Sequence, residues 1–490
     1  MVSQLRRIGR SEGPHLHDQR NTRAHLARAK TSHWTARAVV VCSSPVKTTV
    51  IGSGSIFFTR QCVKGMAQSR ALRSTELALV DIDPRKAEQM GRFCQKINRD
   101  HGGDLRITWT TDRREALPGS DYVVLCFAVR NYHYRETGTS LALNYGIRLV
   151  SGETAGPSMV FRTMRTVPRV LEVAKDIEAL CPKSFVINYV NPTNIIGTAL
   201  DRYTKLRSCA FCDGNYETLV PRLAEVLGIR DPAEARRRLT WKLGGINHFT
   251  FLTALSDEGR DVWEAFKERL EAQAVSAGVE DLTRAEWDMT RVFDAFPTQM
   301  AHPVEYLRYF QGRGSRPSRD FRVAKWSLNE RIRWYRGVWR EIEESNRKGL
   351  STRELMKDAS TDMVAVVIES IEADLGLSLC VNVRNEGRIT NLPGEVIVEL
   401  YGTFGRGGAV VPPFGPLPRG VLGLTQQVID EQELALEAAM TGSFDTAVRA
   451  IACDPLVMSL SDARDLARDL IALEEDDLDR KWDDYWATTT

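Results

Sequence analysis

No stretch of the chain approaches about 18 consecutive apolar residues, so no helical membrane span is expected. There is no block of one charge sign in the body of the chain, and the net charge is only +2, which argues against nucleic acid as the main partner. There is no internal repeat. The nine cysteines follow no repeating spacing, and an odd number of scattered thiols suits a reducing, cytoplasmic setting better than a disulfide framework. What remains is an ordinary globular composition. The 490 residues are 43% hydrophobic and 27% charged, enough for two large domains.

Residues 1–45 differ from the rest, being rich in Arg, His and Ser and poor in acids. Ala38-Val39-Val40-Val41-Cys42 is too short for a secretory core, although a transit peptide would show a similar bias. The segment reads as a disordered extension or a misplaced start. From Val46 a folded pattern begins. Thr49-Val50-Ile51 reads as a buried strand, Gly52-Ser53-Gly54 as a tight turn and Ile56 onward as a helix start. Strand, glycine turn and helix N-terminus together present backbone N–H groups to a pyrophosphate. About 25 residues on, Glu76–Asp83 reads as a second strand ending in an acid, where such folds hold the adenosine ribose hydroxyls. The third glycine of the usual fingerprint is missing, and Phe57 stands in its place. The pattern predicts NAD binding by Gly52, Gly54, Ser55, Ile56 and Asp81.

Strands and helices then alternate to about residue 215, which predicts an α/β, Rossmann-type, doubly wound parallel sheet over 46–215. Helices are expected over 60–68, 84–101, 113–117 and 167–180. Asp121–Phe127 is a nearly continuous apolar run, hence a central strand, and its end delivers Ala128–Arg135 to the crevice outside the sheet. Phe185–Val190 is a further strand, ending in Asn191-Pro192-Thr193-Asn194 at a pocket edge. Cys212 follows another strand. Residues 216–490 read as a mostly helical α+β domain, helical over 261–375 with a polar break at 312–317. Two strands flank the turn Asn385-Glu386-Gly387, and helices cover 426–440 and the tail from Phe444 to Trp486. The apolar faces within 261–375 suit a homodimer or homotetramer.

Cys212 and His248, a thiol and an imidazole 36 residues apart, suit a divalent transition ion; a buried cysteine and a core histidine are the plainer account of two such residues alone. Asp213 is a carboxylate placed for acid–base work, or a turn former before Gly214. Tyr306 has the helical spacing of a core aromatic with Tyr309 and Phe310. Arg130, Arg135, Arg162 and Arg165 fall near the crevice, where a guanidinium grips an anion through paired hydrogen bonds.

Taken together, the motifs resemble glycoside hydrolase family 4, the NAD- and metal-dependent glycosidases. The matching stretches are Val50–Ser55, Val80–Asp83, Gly152–Pro157, Arg165–Pro168, Asn188–Pro192, Phe211–Asp213, Gly245–His248, Val381–Gly387, Asn391–Pro393 and Cys453–Val457. The resemblance implies that Cys212 and His248 ligate a metal such as Mn, and that Asn191 contributes to the cofactor and sugar sites. The sugar is expected to meet Arg130, Arg135, Glu153, Arg165, Asn191 and His248. It also implies a chemistry in which NAD takes hydride from carbon 3 of the sugar, a base removes the acidified carbon 2 proton, the aglycone is eliminated, water adds back and NADH restores carbon 3. Tyr306 matches the base, and Asp213 the acid of the α-glycoside members. The loop Ala128–Arg135 departs from the Arg-Val-Gly-Gly of the 6-phosphoglycosidases, with Ala128 at the phosphate-gripping Arg position, so among anionic hexosides such as sulfoquinovosides or 6-phosphoglycosides the departure points away from phosphate on carbon 6 and toward a sulfonate, as in related sulfoquinovosidases, or a carboxylate. The competing readings are a plain NAD dehydrogenase of a 2-hydroxy acid or sugar, and a non-catalytic NAD sensor.

Overall fold

In this computed structural model residues 45–279, 281–312, 328–357, 359, 363–474 and 476–478 are described, and the expectations for residues 1–44, for the break at 313–317 and for the end of the tail lie outside them. Strands β1 (Lys47–Ile51), β2 (Glu76–Val80), β3 (Arg106–Thr110), β4 (Tyr122–Leu125), β5 (Phe185–Asn188) and β6 (Arg207–Ala210) are followed by β7 (Leu239–Ile246), β8 (Phe249–Asp257), β9 (Arg260–Asp261), β10 (Phe296–Pro297), β11 (Leu377–Arg384), β12 (Ile397–Gly405) and β13 (Gly408–Val410). All belong to one 13-stranded sheet, whose main path runs β10-β8-β7-β12-β11-β6-β5-β4-β1-β2-β3. The first six strands pair in parallel. The later ones pair antiparallel and join the first set through the single partnership Asn382↔Ala210.

Strand order reverses at β1, which lies between β2 and β4. That switch point opens a crevice at the strands' C-terminal ends, where ligands of doubly wound sheets bind. The apolar runs of β1 and β4 have no polar face because both sides are covered. Val50 and Val124 pack with the helices Phe58–Gln68 and Pro84–Asp100. Ile51, Val123 and Leu125 pack on the other side with the helices Pro157–Leu180, Arg419–Thr441 and Leu460–Glu474.

Several boundaries differ from the sequence pattern. The first helix starts at Phe58 rather than Ile56, because Ser55 Oγ accepts from Phe58 N (3.3 Å) and keeps Ser55 to Phe57 in the turn. The helix expected from Val167 begins ten residues earlier, at Pro157. Every residue from Pro157 to Val167 is buried, so that part shows no apolar-polar period to read. The loop expected over Ala128–Arg135 turns helical at Asn131, the start of a helix to Asn144 that carries few apolar residues. The stretch 239–257 is a hairpin, with Asn247 and His248 as its two-residue turn between the paired Ile246 and Phe249.

Gly52 has φ +95°, and a Cβ there would stand 2.6 Å from Phe127 N. Gly52→Ala therefore meets both an unfavourable backbone conformation and a backbone wall. It should cost about 2 kcal/mol or more in urea unfolding. A loss below about 0.5 kcal/mol would show that the turn is not so confined.

Candidate functional site

The crevice begins at the glycine turn. Gly52 N and Ser53 N both donate to Val80 O, tying the turn to β2. Asp81 Oδ2 accepts from Gly54 N (2.8 Å), and Asp81 Oδ1 accepts from Asp83 N (3.0 Å), so the carboxylate is aimed at the turn. A Cβ on Gly54 would lie 2.7 Å from that carboxylate oxygen, so only glycine leaves this approach open. Ile82 beside it is 92% exposed, an apolar surface at the crevice rim. Ile56 is buried in the core, which leaves only its backbone for a ligand.

Cys212 and His248 meet deeper in the molecule. Cys212 ends the β6 segment and caps the helix Asp213–Leu227, accepting from Gly214 N at 3.4 Å, which puts Asp213 in that helix's first turn. His248 occupies the hairpin turn at φ +63°, a left-handed conformation rare for histidine. Its Nε2 lies 3.2 Å from Cys212 Sγ, and its Nδ1 is 2.8 Å from Thr154 Oγ1, the arrangement that orients a metal-binding imidazole. Two donors at about 2.3 and 2.1 Å from one ion, set at right angles, stand about 3.1 Å apart, so the pair fits a shared ion. Burial, reinforced by His302, pushes His248 well below the usual histidine range and leaves it neutral, as a ligand must be. Burial, with Glu399 and Asp213, pushes the Cys212 thiol up, so ion binding there releases a proton.

Glu153, His248 and His302 also cluster closely enough to suggest a three-ligand site. The rings of His248 and His302 are stacked, with centroids 4.0 Å apart and planes within 13°. An imidazole holds an ion in its own plane, so an ion on His248 lies well off the plane of His302. The two histidines do not share one ion; His302 instead backs His248.

The loop 150–156 carries Glu153 and Thr154 and is pinned by three side chains from later in the chain. Glu305, wholly buried, accepts from Val150 N (2.5 Å), Ser151 N (2.7 Å) and Gly152 N (3.2 Å), and from the Ser151 hydroxyl. Gln432 Nε2 donates to Thr154 O (2.7 Å), and Glu431 Oε1 accepts from Gly156 N (2.9 Å). Tyr306 follows Glu305 directly, and its phenol is 2% exposed. Burial and then Glu305 hold that phenol well above the usual tyrosine range.

Arg135 and Arg162 both reach Glu153 Oε1, at 2.8 and 3.5 Å. Burial alone would raise Glu153, but the two guanidiniums overcome it and hold the carboxyl at about 2. Burial lowers Arg162 to about 10 despite Glu153, with Arg135 and Arg165 pushing the same way. Arg162 also donates to Asn131 Oδ1 (3.0 Å) and to Asn191 O (3.3 Å), which joins the loops after β4 and β5. Asn191 precedes a cis proline and accepts through Oδ1 from Thr193 Oγ1 at 2.6 Å.

The structure thus brings Glu153, Arg135, Asn191, Cys212, Asp213, His248 and Tyr306 into one region. Two expected residues turn elsewhere. Arg165 is bound by Glu474 (2.5 Å) and lies over the ring of Tyr134. Arg130 is half exposed and engages Asp477 at 3.1 Å. Sequence reasoning missed Thr154, His302, Glu305 and Glu399. Glu399 was the legible one, a carboxylate inside the apolar run Val396–Leu400, wholly buried and raised to about 7 by burial against the pull of Asn215 and Asn247.

Fold and site together define a Rossmann-type enzyme with a part-buried thiol–imidazole pair and a phenol beside its nucleotide crevice. Residues 47–229 match the family described as family 4 glycosyl hydrolase, and residues 243–457 match its C-terminal domain. The chain belongs to family 4 of the glycosyl hydrolases. It is 27% identical over 440 residues to an α-galactosidase of Bacillus subtilis, covering 88% of this chain and 98% of that one. It is 26% identical over 446 residues to an α-galacturonidase of Thermoanaerobacterium saccharolyticum, covering 86% and 94%. A 6-phospho-α-glucosidase from gut microorganisms, solved with NAD and Mn2+, shares its fold at a TM-score of 0.75 and 22% identity, over 89% of this chain and 99% of that one.

Glu431 and Asp454 are buried together beside Gly156, and a Cβ there would lie 3.5 Å from Asp454 Oδ2. Burial raises Asp454 to about 7, and burial with Asp454 raises Glu431 well above the carboxylate range. Carboxyls that keep their protons longer folded than unfolded contribute most below about pH 4, and that contribution is lost as pH rises toward 7. The melting temperature should fall between pH 5 and 7.5, and Asp454→Asn, which gives Glu431 an amide donor, should flatten the fall. An unchanged slope in the variant would remove the pair from the account.

Proposed function

We propose that this family 4 enzyme hydrolyses α-glycosides of an anionic hexose by transient oxidation at carbon 3, using NAD and a divalent ion such as Mn. The observation that carries the reading is the Cys212 Sγ to His248 Nε2 approach of 3.2 Å, oriented by Thr154 and set beside Tyr306. The glycine turn with Asp81 is built for the dinucleotide, and the thiol–imidazole pair for a transition ion. Gly52, Gly54 and Asp81 would hold NAD, which would supply a hydride acceptor, and Cys212 and His248 would hold the ion, which would supply a Lewis acid and lower the pKa of a nearby phenol.

The chain's own groups do the rest. Tyr306 takes the carbon 2 proton once the ketone at carbon 3 has acidified it, exchanges it with solvent while the aglycone leaves, and delivers a solvent-derived proton back to carbon 2 when water has added. Asp213, in the first turn of its helix, protonates the leaving oxygen, which favours the α-glycoside reading. Thr154 keeps the His248 lone pair on Nε2. Glu153 holds Arg135 and Arg162 at the sugar site. Two buried guanidiniums share one carboxylate, so one positive charge is left over beside Glu153, and this supports an anion on carbon 6.

The test is a panel of para-nitrophenyl α-glycosides bearing sulfonate, phosphate, carboxylate or hydroxyl at carbon 6, assayed with catalytic NAD+ and Mn2+. Release without NADH accumulation is expected from one anionic member, and release lost to a chelator should return with Mn2+. Stoichiometric NADH would point to a dehydrogenase, and preference for the neutral sugar would remove the anion. Tyr306→Phe should lower kcat by roughly 100-fold or more while NAD binding, followed by calorimetry, stays intact. Wild-type turnover in that variant would exclude Tyr306 as the base.

A further inference from the structure

The helix Leu328–Lys348 lies outside the sheet and has no part in the chemistry above, yet its two ends are held in different ways. Its C-terminal half is fastened to the helix Pro84–Asp100, which follows the Asp81 turn. Arg85 bonds Glu343 (2.7 Å), Lys96 Nζ donates to Ser345 Oγ (2.7 Å), and Asn346 Nδ2 donates to Gln89 O (2.8 Å). Val338 and Ile342 are buried in the same core as Phe93 and Ile97. Its N-terminal part makes aromatic contacts instead. Trp334, 38% exposed, packs on Phe57 with centroids 4.9 Å apart, and Tyr335 packs on Tyr132, also at 4.9 Å.

Those two partners stand on opposite walls of one opening. Phe57 belongs to the turn after β1, at the position where a third glycine would be expected, and Tyr132 belongs to the segment after β4. The turn after β1 and the segment after β4 are neighbours at the switch point, the place where doubly wound sheets take a dinucleotide. A side chain as large as Phe at position 57 exposes an apolar ring beside a polar ligand, and Trp334 covers it. One helix face therefore bridges the crevice at two points, from a base that three polar contacts secure.

We propose that Leu328–Lys348 is the outer wall of the dinucleotide crevice, with Trp334 and Tyr335 latching it to the turn after β1 and the segment after β4. NAD then exchanges only when those two ring contacts part, which keeps the cofactor in place through repeated turnovers. The inference rests on the NAD reading above, and its test separates the two.

Dissociation of NADH is followed by stopped-flow fluorescence, with excess NAD+ as the displacing ligand. In Trp334→Ala and Tyr335→Ala together, dissociation should quicken by about ten-fold, as expected from losing two aromatic contacts, with the melting temperature of the cofactor-free protein little changed. Trp334→Phe, which keeps a ring on Phe57, should restore most of the slow release. Amide exchange provides a second reading on the unaltered protein, in which protection of 330–340 should rise when NAD+ is added. Release within two-fold of wild type, or exchange indifferent to NAD+, would overturn the wall. Failure of the wild-type protein to bind NADH at all would instead overturn the cofactor reading.

Discussion

The site depends on a single buried carboxylate. Glu305 is fully enclosed and accepts three successive backbone N–H groups from Val150, Ser151 and Gly152. A carboxylate out of water is tolerated only with such compensation, and here the compensation is also the architecture. The loop it grips presents Glu153 to two arginines and Thr154 to His248, while the residue next to Glu305 is Tyr306. One interaction therefore sets Tyr306, His248, Arg135 and Arg162 in a common frame. Gln432 and Glu431 secure the far end of the same loop, which makes the helix Arg419–Thr441 part of the site although none of its residues faces the chemistry.

Electrostatics around this frame are arranged so that bound groups complete it. His248 is neutral and Tyr306 protonated, the Cys212 thiol keeps its proton, and Arg162 is depressed by burial, with Arg135 and Arg165 adding to it. A cation on the thiol–imidazole pair would favour the thiolate and the phenolate, an anion at the arginines would favour the charged guanidinium, and His248 already has the neutral form a ligand needs. The stacked His302 contributes by keeping His248 neutral without competing for the ion, since the two rings are parallel.

Much of this was legible in the sequence, for physical reasons. The parallel strands are buried on both faces and so appear as unbroken apolar runs, which located β1, β2, β4 and β5. The glycine turn and Asp81 stood out by spacing, while Cys212, Asp213, His248 and Tyr306 were assigned their roles only through the family 4 resemblance. The pattern failed where burial is complete or polar. The first turns of Pro157–Leu180 are enclosed all round and carry no period, and Asn131–Asn144 has too few apolar residues to show one. Which arginine points inward was unreadable, because Arg135 differs from Arg130 and Arg165 only through the partners Glu153, Asp477 and Glu474 that folding brings near. Thr154 and Glu305 matter only through contacts with residues about 94 and 155 positions away.

The most direct test of the central claim, that a C–H bond at carbon 2 is broken beside Tyr306, is to run the hydrolysis in D2O and examine the released sugar by proton NMR. The account predicts deuterium at carbon 2 of the product. A product that keeps its original hydrogen at carbon 2 in every molecule would contradict it.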